Sequence, residues 1–198
     1  MRLDLRFLNR PLGDIWCQAV VVFVIQKSSM TSDVLFHLNE KMGGSLVDIL
    51  NKGLWTGDRG ENFLFATQDA IKAGKLLLRG LGTEESFGIE VLKKEASETG
   101  AILDKININE FGIHISKSEG RENEYGSFLE TAATSLVETF YNTHRDDPDY
   151  LLKLFFSIGK DFMHDLDPVV SRLKGSFGPL LEFSIITDRQ SKMGLEVI

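Results

Sequence analysis

The run Ala19-Val20-Val21-Val22-Phe23-Val24-Ile25 constrains this chain more than any other stretch: seven consecutive apolar residues, five of them β-branched. β-branched side chains are stiff at χ1 and favour the pleated surface of a strand. No position in the run is polar, so neither side of that strand can face water. A strand buried on both faces belongs in the middle of a sheet with layers above and below it. The run is poorly suited to any other role. Arg2, Arg6 and Arg10 precede it, but Asp4 and Asp14 dilute their charge, and Gln26-Lys27-Ser28-Ser29 offers no small-x-small cleavage site. Seven residues also fall far short of the ~20 that a membrane-spanning helix needs.

The remaining elements alternate around this strand. Arg2-Leu3-Asp4-Leu5-Arg6-Phe7 switches between polar and apolar at every step, which predicts a half-buried strand at a sheet edge. Val34–Leu38 begins a helix capped by Thr31, Ser32 or Asp33; Gly43-Gly44 breaks it, and helical spacing resumes over Leu46–Leu50 until Gly53. Asn62–Thr67 and Lys75–Arg79 read as strands. Ile89, Leu92, Ala96, Leu103 and Ile106 then mark one face of a helix that Gly100 weakens by roughly 1 kcal/mol. A strand within Ile106–Ser116 leads to a long helix carrying Phe128, Ala132, Leu136 and Phe140 at steps of four. Leu151–Ile158 is a buried strand, Pro168–Leu173 a helix with Asp167 as its cap, and Leu181–Thr187 a last strand. This order predicts an α/β fold of three layers, α/β/α, around a mixed, largely parallel central sheet. With no repeat and no long linker, residues 1–198 are expected to form one domain.

Composition narrows the function. Against 22 Lys+Arg stand 29 Asp+Glu, a formal charge of -7. Phosphate backbones are held by clustered cations, so a broad nucleic-acid surface is not expected. The single cysteine, Cys17, excludes an internal disulfide and suits a reducing, cytoplasmic setting. It precedes the apolar run, where a small buried hydrophobe is the natural role. His37, His114, His144 and His164 lie at least 20 positions apart, so no pair has a metal-binding helical spacing. Neither a G-x-S-x-G elbow nor a Walker loop is present. No cofactor, metal or catalytic residue is therefore expected.

Two glycine turns remain as candidates for binding. Gly80-Leu81-Gly82-Thr83 follows a strand, and if its amides open a helix they form an anion cradle; the same glycines also permit tight reversal. Gly43-Gly44 has the same two readings, cradle or helix break.

The succession from Leu38 through Met42-Gly43-Gly44 to Leu50 and Gly53, the turn Thr56-Gly57-Asp58-Arg59-Gly60-Glu61, and the strand Lys75–Arg79 running into Gly80-Leu81-Gly82 resembles the N-terminal domain of the leucyl aminopeptidases, the cytosol aminopeptidase family. The helix ending in Glu138-Thr139-Phe140-Tyr141 adds to the likeness, which extends from about Arg2 to Ile186. The resemblance implies a macro-domain-like fold. It also implies that peptidase chemistry belongs to a separate two-metal domain, whose signature N-T-D-A-E-G-R-L does not occur here. The expectation is a non-catalytic binding or assembly domain, self-associating or docking to a protein partner. The alternative is a macro-type binder of ADP-ribose or a related nucleotide, for which the resemblance points to Asn39, Gly43 and Gly44 in a first loop and Gly80, Gly82 and Thr83 in a second. The first loop has two glycines where macro domains carry three, and Asp33 is the nearest acidic residue after the apolar strand.

Overall fold

The seven-residue apolar run lies at the middle of the protein. A computed structural model describes residues 1–26, 33–117 and 120–188. In it, the run falls in and just beyond strand β2 (Cys17–Val24), and every residue from Ala19 to Ile25 is at most 1% exposed. The other strands are β1 (Arg2–Leu8), β3 (Asn62–Ala66), β4 (Ala73–Gly80), β5 (Glu110–Ile115), β6 (Leu151–Ser157) and β7 (Glu182–Thr187). They form one sheet in the order β3-β4-β2-β5-β6-β1-β7, antiparallel only at the β3–β4 pair. The expected three-layer α/β fold with a mixed, mostly parallel sheet is present.

One face of the sheet is covered by α3 (Ile89–Lys105), α4 (Tyr125–His144) and α5 (Leu166–Phe177). Phe128, Ala132, Leu136 and Phe140 of α4, read from the sequence as one stripe, meet Leu5, Val21, Phe111, Ile113 and Leu154 in a dry core. On α3 the expected stripe is shorter. Ile89 and Ile106 lie at the helix ends, 39% and 38% exposed, and burial is carried between them by Val91, Leu92, Ala96, Thr99, Gly100 and Leu103. Gly100 packs directly against α4, where a Cβ would sit 3.2 Å from Thr139. The residue that weakens the helix is therefore the one that lets the pair pack.

The opposite face is covered only in part. The helices α1 (Asp33–Lys41) and α2 (Ser45–Asn51) lie over β2 and β4, burying Leu35, Leu38 and Leu46 against Val20, Val22, Leu76 and Leu78. Over β1, β5 and β6 the same face carries charge. Lys153 Nζ lies 3.2 Å from Glu110 Oε2, Arg6 Nη2 lies 2.7 Å from Asp4 Oδ2, and the Arg6 guanidinium sits 5.8 Å from the Phe155 ring. This corrects the edge assignment of the first strand. β1 pairs in parallel with β6 on one side and β7 on the other. Its alternation records one packed face and one solvated face, which an inner strand can have when a helical layer is incomplete.

Two smaller corrections concern helix starts. Thr31 and Ser32 lie outside the described residues, and Asp33 is the first residue of α1. Helix α5 opens at Leu166 after a 3-10 segment over Lys160–Asp165, so Asp167 and Pro168 lie inside its first turn and Asp165 holds the cap position. Proline is tolerated there because the first amides of a helix have no intrahelical acceptor.

Candidate functional site

The two glycine turns are built for folding. Gly43 and Gly44 join α1 to α2 with φ of +63° and +88°, a conformation that favours glycine. The Gly44 amide donates to Asn39 O at 2.9 Å, and Asn39 Oδ1 accepts from the Val47 amide at 3.1 Å, which satisfies one of the open donors at the start of α2. At the second turn the amides of Gly80, Leu81 and Gly82 donate to Glu61, Val24 and Gly57 carbonyls at 2.9, 2.8 and 3.1 Å. The amides expected to cradle an anion are thus engaged by the chain itself. Thr83 does not open a helix either: its carbonyl accepts from Ser86 and Phe87, and α3 starts only at Ile89. Gly80 is required for a different reason. A Cβ there would stand 2.1 Å from Asp58 O.

An anion nest does exist nearby, filled from within. The turn Thr56–Gly60 directs the amides of Thr56, Gly57 and Asp58 at Glu61 Oε2, over 2.8, 2.9 and 3.2 Å. Burial alone would raise the Glu61 carboxyl, but the bonds donated by Thr56, Asp58 and Gly57 outweigh it and hold the group below the usual carboxylate range.

A sizeable cleft lies elsewhere among the described residues. About 730 Å³ in volume, it is lined by residues that follow the carboxyl ends of β1, β5 and β6, together with α1 and the 3-10 turn at Leu12–Asp14. It sits where the fold reverses direction. After β2 the chain continues to α1 on one face of the sheet, and after β5 it continues to α4 on the other, the arrangement at which open α/β sheets bind ligands. None of Asn39, Gly43, Gly44, Gly80, Gly82 and Thr83 lines it. Asn39 lines a separate, mostly apolar cavity of about 100 Å³ beside Trp55.

The cleft walls are tied together by backbone. Ile158 N donates to Leu8 O at 3.0 Å, Ser157 Oγ to Arg10 O at 2.8 Å, and Ser116 N to Phe23 O at 3.0 Å. The Lys41–Asp14 pair at 2.6 Å fixes α1 to the 3-10 turn. His114 Nδ1 lies 3.1 Å from Ser157 O. Burial, and then the charge of Lys117, push the His114 pKa down to about 4, with the Ser157 carbonyl opposing the shift, so the ring is neutral near pH 7. Two polar atoms in the wall, Ser116 Oγ and His37 Nε2, are buried without any hydrogen-bond partner. Among the described residues neither Arg10 nor Lys117, both at the cleft, forms a salt bridge. Buried polar groups in native proteins are almost always paired, so unpaired donors and acceptors in a cleft mark a place for a ligand or ordered water. No group of three or more His, Cys, Asp or Glu is placed to hold a metal among the described residues. Cys17, on the β2 side, donates its thiol to Ala19 O at 3.0 Å, and burial pushes its pKa up to about 12, consistent with a packing role.

The sequence analysis did not single out Arg10, Ser116, Lys117 or Ser157, and gave His37 and His114 no role. The available signal was position: each of Arg10, Ser116 and Lys117 falls just past the carboxyl end of a buried strand.

Comparison with known proteins agrees with this architecture. Residues 20–145 match the Cytosol aminopeptidase family, N-terminal domain. A probable cytosol aminopeptidase of Alkaliphilus metalliredigens is 25% identical over 123 residues, covering 58% of this chain and 24% of the relative. One from Thermosynechococcus vestitus is 30% identical over 79 residues, 40% of this chain and 16% of the relative. The chain thus spans about a quarter or less of these curated relatives. Among solved structures, a mutant of tomato leucine aminopeptidase superimposes with a TM-score of 0.62 at 12% identity, over 87% of this chain and 36% of the other. A Trypanosoma brucei macrodomain in complex with ADP-ribose gives 0.57 at 14% identity, over 84% and 68%. At such identities the likeness is one of fold. No described helix is long and apolar enough to cross a membrane.

Proposed function

The chain belongs to the cytosol aminopeptidase family through that family's N-terminal domain, and on that premise we propose that it is a non-catalytic binding domain whose cleft takes a small anionic ligand of the nucleotide type. The observation that carries this reading is the cleft itself, about 730 Å³ in volume and flanked by Arg10 and Lys117 in a chain of net charge -7. Arg10 and Lys117 have no carboxylate partner among the described residues, Lys117 Nζ lying instead 5.7 Å from the Tyr125 ring centroid, and cations not neutralised by carboxylates favour an anion near them. The ADP-ribose held by the Trypanosoma brucei macrodomain makes that ligand the natural first probe.

The test is thermal denaturation with ADP-ribose and ADP. A ligand that binds only the folded state at one hundred times its Kd adds about 2.7 kcal/mol. An unchanged melting temperature at millimolar ligand would overturn the reading. The resemblance implies that peptidase chemistry belongs to a separate domain, so turnover of leucyl substrates by residues 1–198 with added zinc or manganese would contradict the non-catalytic reading. The family's name supports a cytosolic location as part of this reading, and recovery of the protein in a membrane or secreted fraction would count against it.

A second reading, assembly, is supported by the exposed apolar side chains Trp16, Phe36 and Leu54, which are 70%, 58% and 58% accessible. Light scattering checks it: a strict monomer with no co-purifying partner would count against it.

A further inference from the structure

The cations at the cleft account for a negative charge, but they leave the neutral polar atoms of its wall unexplained. The His114 contact with Ser157 O settles a tautomer. A backbone carbonyl only accepts, so Nδ1 carries the hydrogen and Nε2 of the neutral ring is an acceptor. No described residue donates to that Nε2. Two residues further on, Ser116 is 2% exposed, and its hydroxyl, both donor and acceptor, has no partner. Across the cleft, Nε2 of His37 on α1 is a second buried polar atom without a partner. Both His114 and Ser116 line the cleft from the end of β5, roughly 7 Å apart along the strand direction.

An acceptor and a hydroxyl at that spacing suit a group that donates at one point and accepts at the next. A carboxylate or a fully ionised phosphate does not, because it has no hydrogen to give to His114. We propose that this part of the cleft reads the hydroxyl groups of a sugar-like ligand, one hydroxyl donating to His114 Nε2 and the same or a neighbouring oxygen accepting from Ser116 Oγ. The ligand class is then a polyol phosphate: the anionic part lies toward Arg10 and Lys117, and the hydroxylated part lies against β5. This assignment rests on the reading of the cleft as an anion site and adds a specificity element to it. Cys17, the Glu61 nest and the His144–Asp104 pair make no comparable claim, since each is satisfied by its own neighbours.

The experiment is a titration of the protein with ribose 5-phosphate and with ethyl phosphate, which has the anion but no hydroxyl groups. Binding is followed by NMR, including the ring nitrogens of His114. Two added hydrogen bonds predict that ribose 5-phosphate binds about tenfold more tightly, and that the His114 Nε2 resonance moves with ribose 5-phosphate only. In His114→Phe, with one of the two hydrogen bonds gone, the preference should fall to about threefold while ethyl phosphate binding persists, and His114→Gln, which keeps an acceptor, should recover part of it. Equal affinities in the unmodified protein, or a preference undiminished in His114→Phe, would overturn the hydroxyl assignment and leave the anion site standing. If neither phosphate binds and Arg10→Ala/Lys117→Ala changes nothing, the cleft reading falls and this inference falls with it.

Discussion

The two faces of the sheet follow different rules. Beneath α3, α4 and α5 the surface is closed, and aromatic residues such as Phe111, Phe128 and Phe140 are at most 1% exposed. Beneath α1 and α2 only half the surface is covered, and the rest is a charged ladder ending in a cleft with unpartnered polar atoms. Unpartnered polar atoms occur on both sides, since Tyr125 Oη on α4 is also buried without a partner; what separates the part that holds the fold from the part available for binding is the missing helical cover over β1, β5 and β6.

That division can be broken most directly at α4. Phe140 is fully buried, with its ring centroid 5.9 Å from that of Phe111. Phe140→Ala should destabilise the protein by about 3–5 kcal/mol in denaturant unfolding. A loss under 1 kcal/mol would mean that the closed face does not carry the fold.

The second prediction sits on the open face and is read through pH. His114 has a folded pKa near 4 against an ordinary value of 6.5. Between those values the unfolded chain binds the proton that the folded one excludes, so this residue makes stability fall as pH drops from about 6.5 to about 4. Its share is roughly 3 kcal/mol at most across that window. The difference in slope between the unmodified protein and His114→Gln isolates it, and identical slopes would show that the ring titrates freely.

Gly80→Ala tests the turn beside the sheet. The added methyl meets the Asp58 carbonyl, which is backbone and cannot rotate away, so a loss of about 1–3 kcal/mol is expected. Gly43→Ala makes a useful contrast. Nothing lies within 4 Å of its Cβ position, and only the positive φ opposes the change.

What the sequence made legible follows the same division. The apolar run of β2 and the steps of four on α4 could be read directly, because a surface buried without exception leaves a periodic trace. β1 was misplaced at an edge because alternation reports one wet face and says nothing of the neighbouring strands. The glycine turns were legible but ambiguous, because positive φ and close approach need glycine whether or not a ligand is near. The cleft left almost no local signal. Arg10, His37 and the pair His114 and Lys117 come from three separate stretches, and only the parallel order of β1, β5 and β6, with α1 laid beside them, brings them to one opening.

The smallest effect sharpens the comparison most, since it sets one hydroxyl against another. Thr99 on the packed face is fully buried, and its Oγ1 donates to Glu95 O at 2.7 Å. The Ser116 hydroxyl in the cleft is almost equally hidden but has no hydrogen-bond partner. Replacing a satisfied hydroxyl removes a net contribution of about 1 kcal/mol, whereas removing an unsatisfied one relieves a desolvation penalty. Thr99→Val should therefore lower stability by about 1 kcal/mol, and Ser116→Ala should leave it unchanged or raise it slightly. If both substitutions destabilise equally, Ser116 is already paired within the free protein and is not held open for a ligand. If Ser116→Ala is neutral in denaturation yet weakens ribose 5-phosphate binding, that hydroxyl serves the ligand and adds nothing to the stability of the fold.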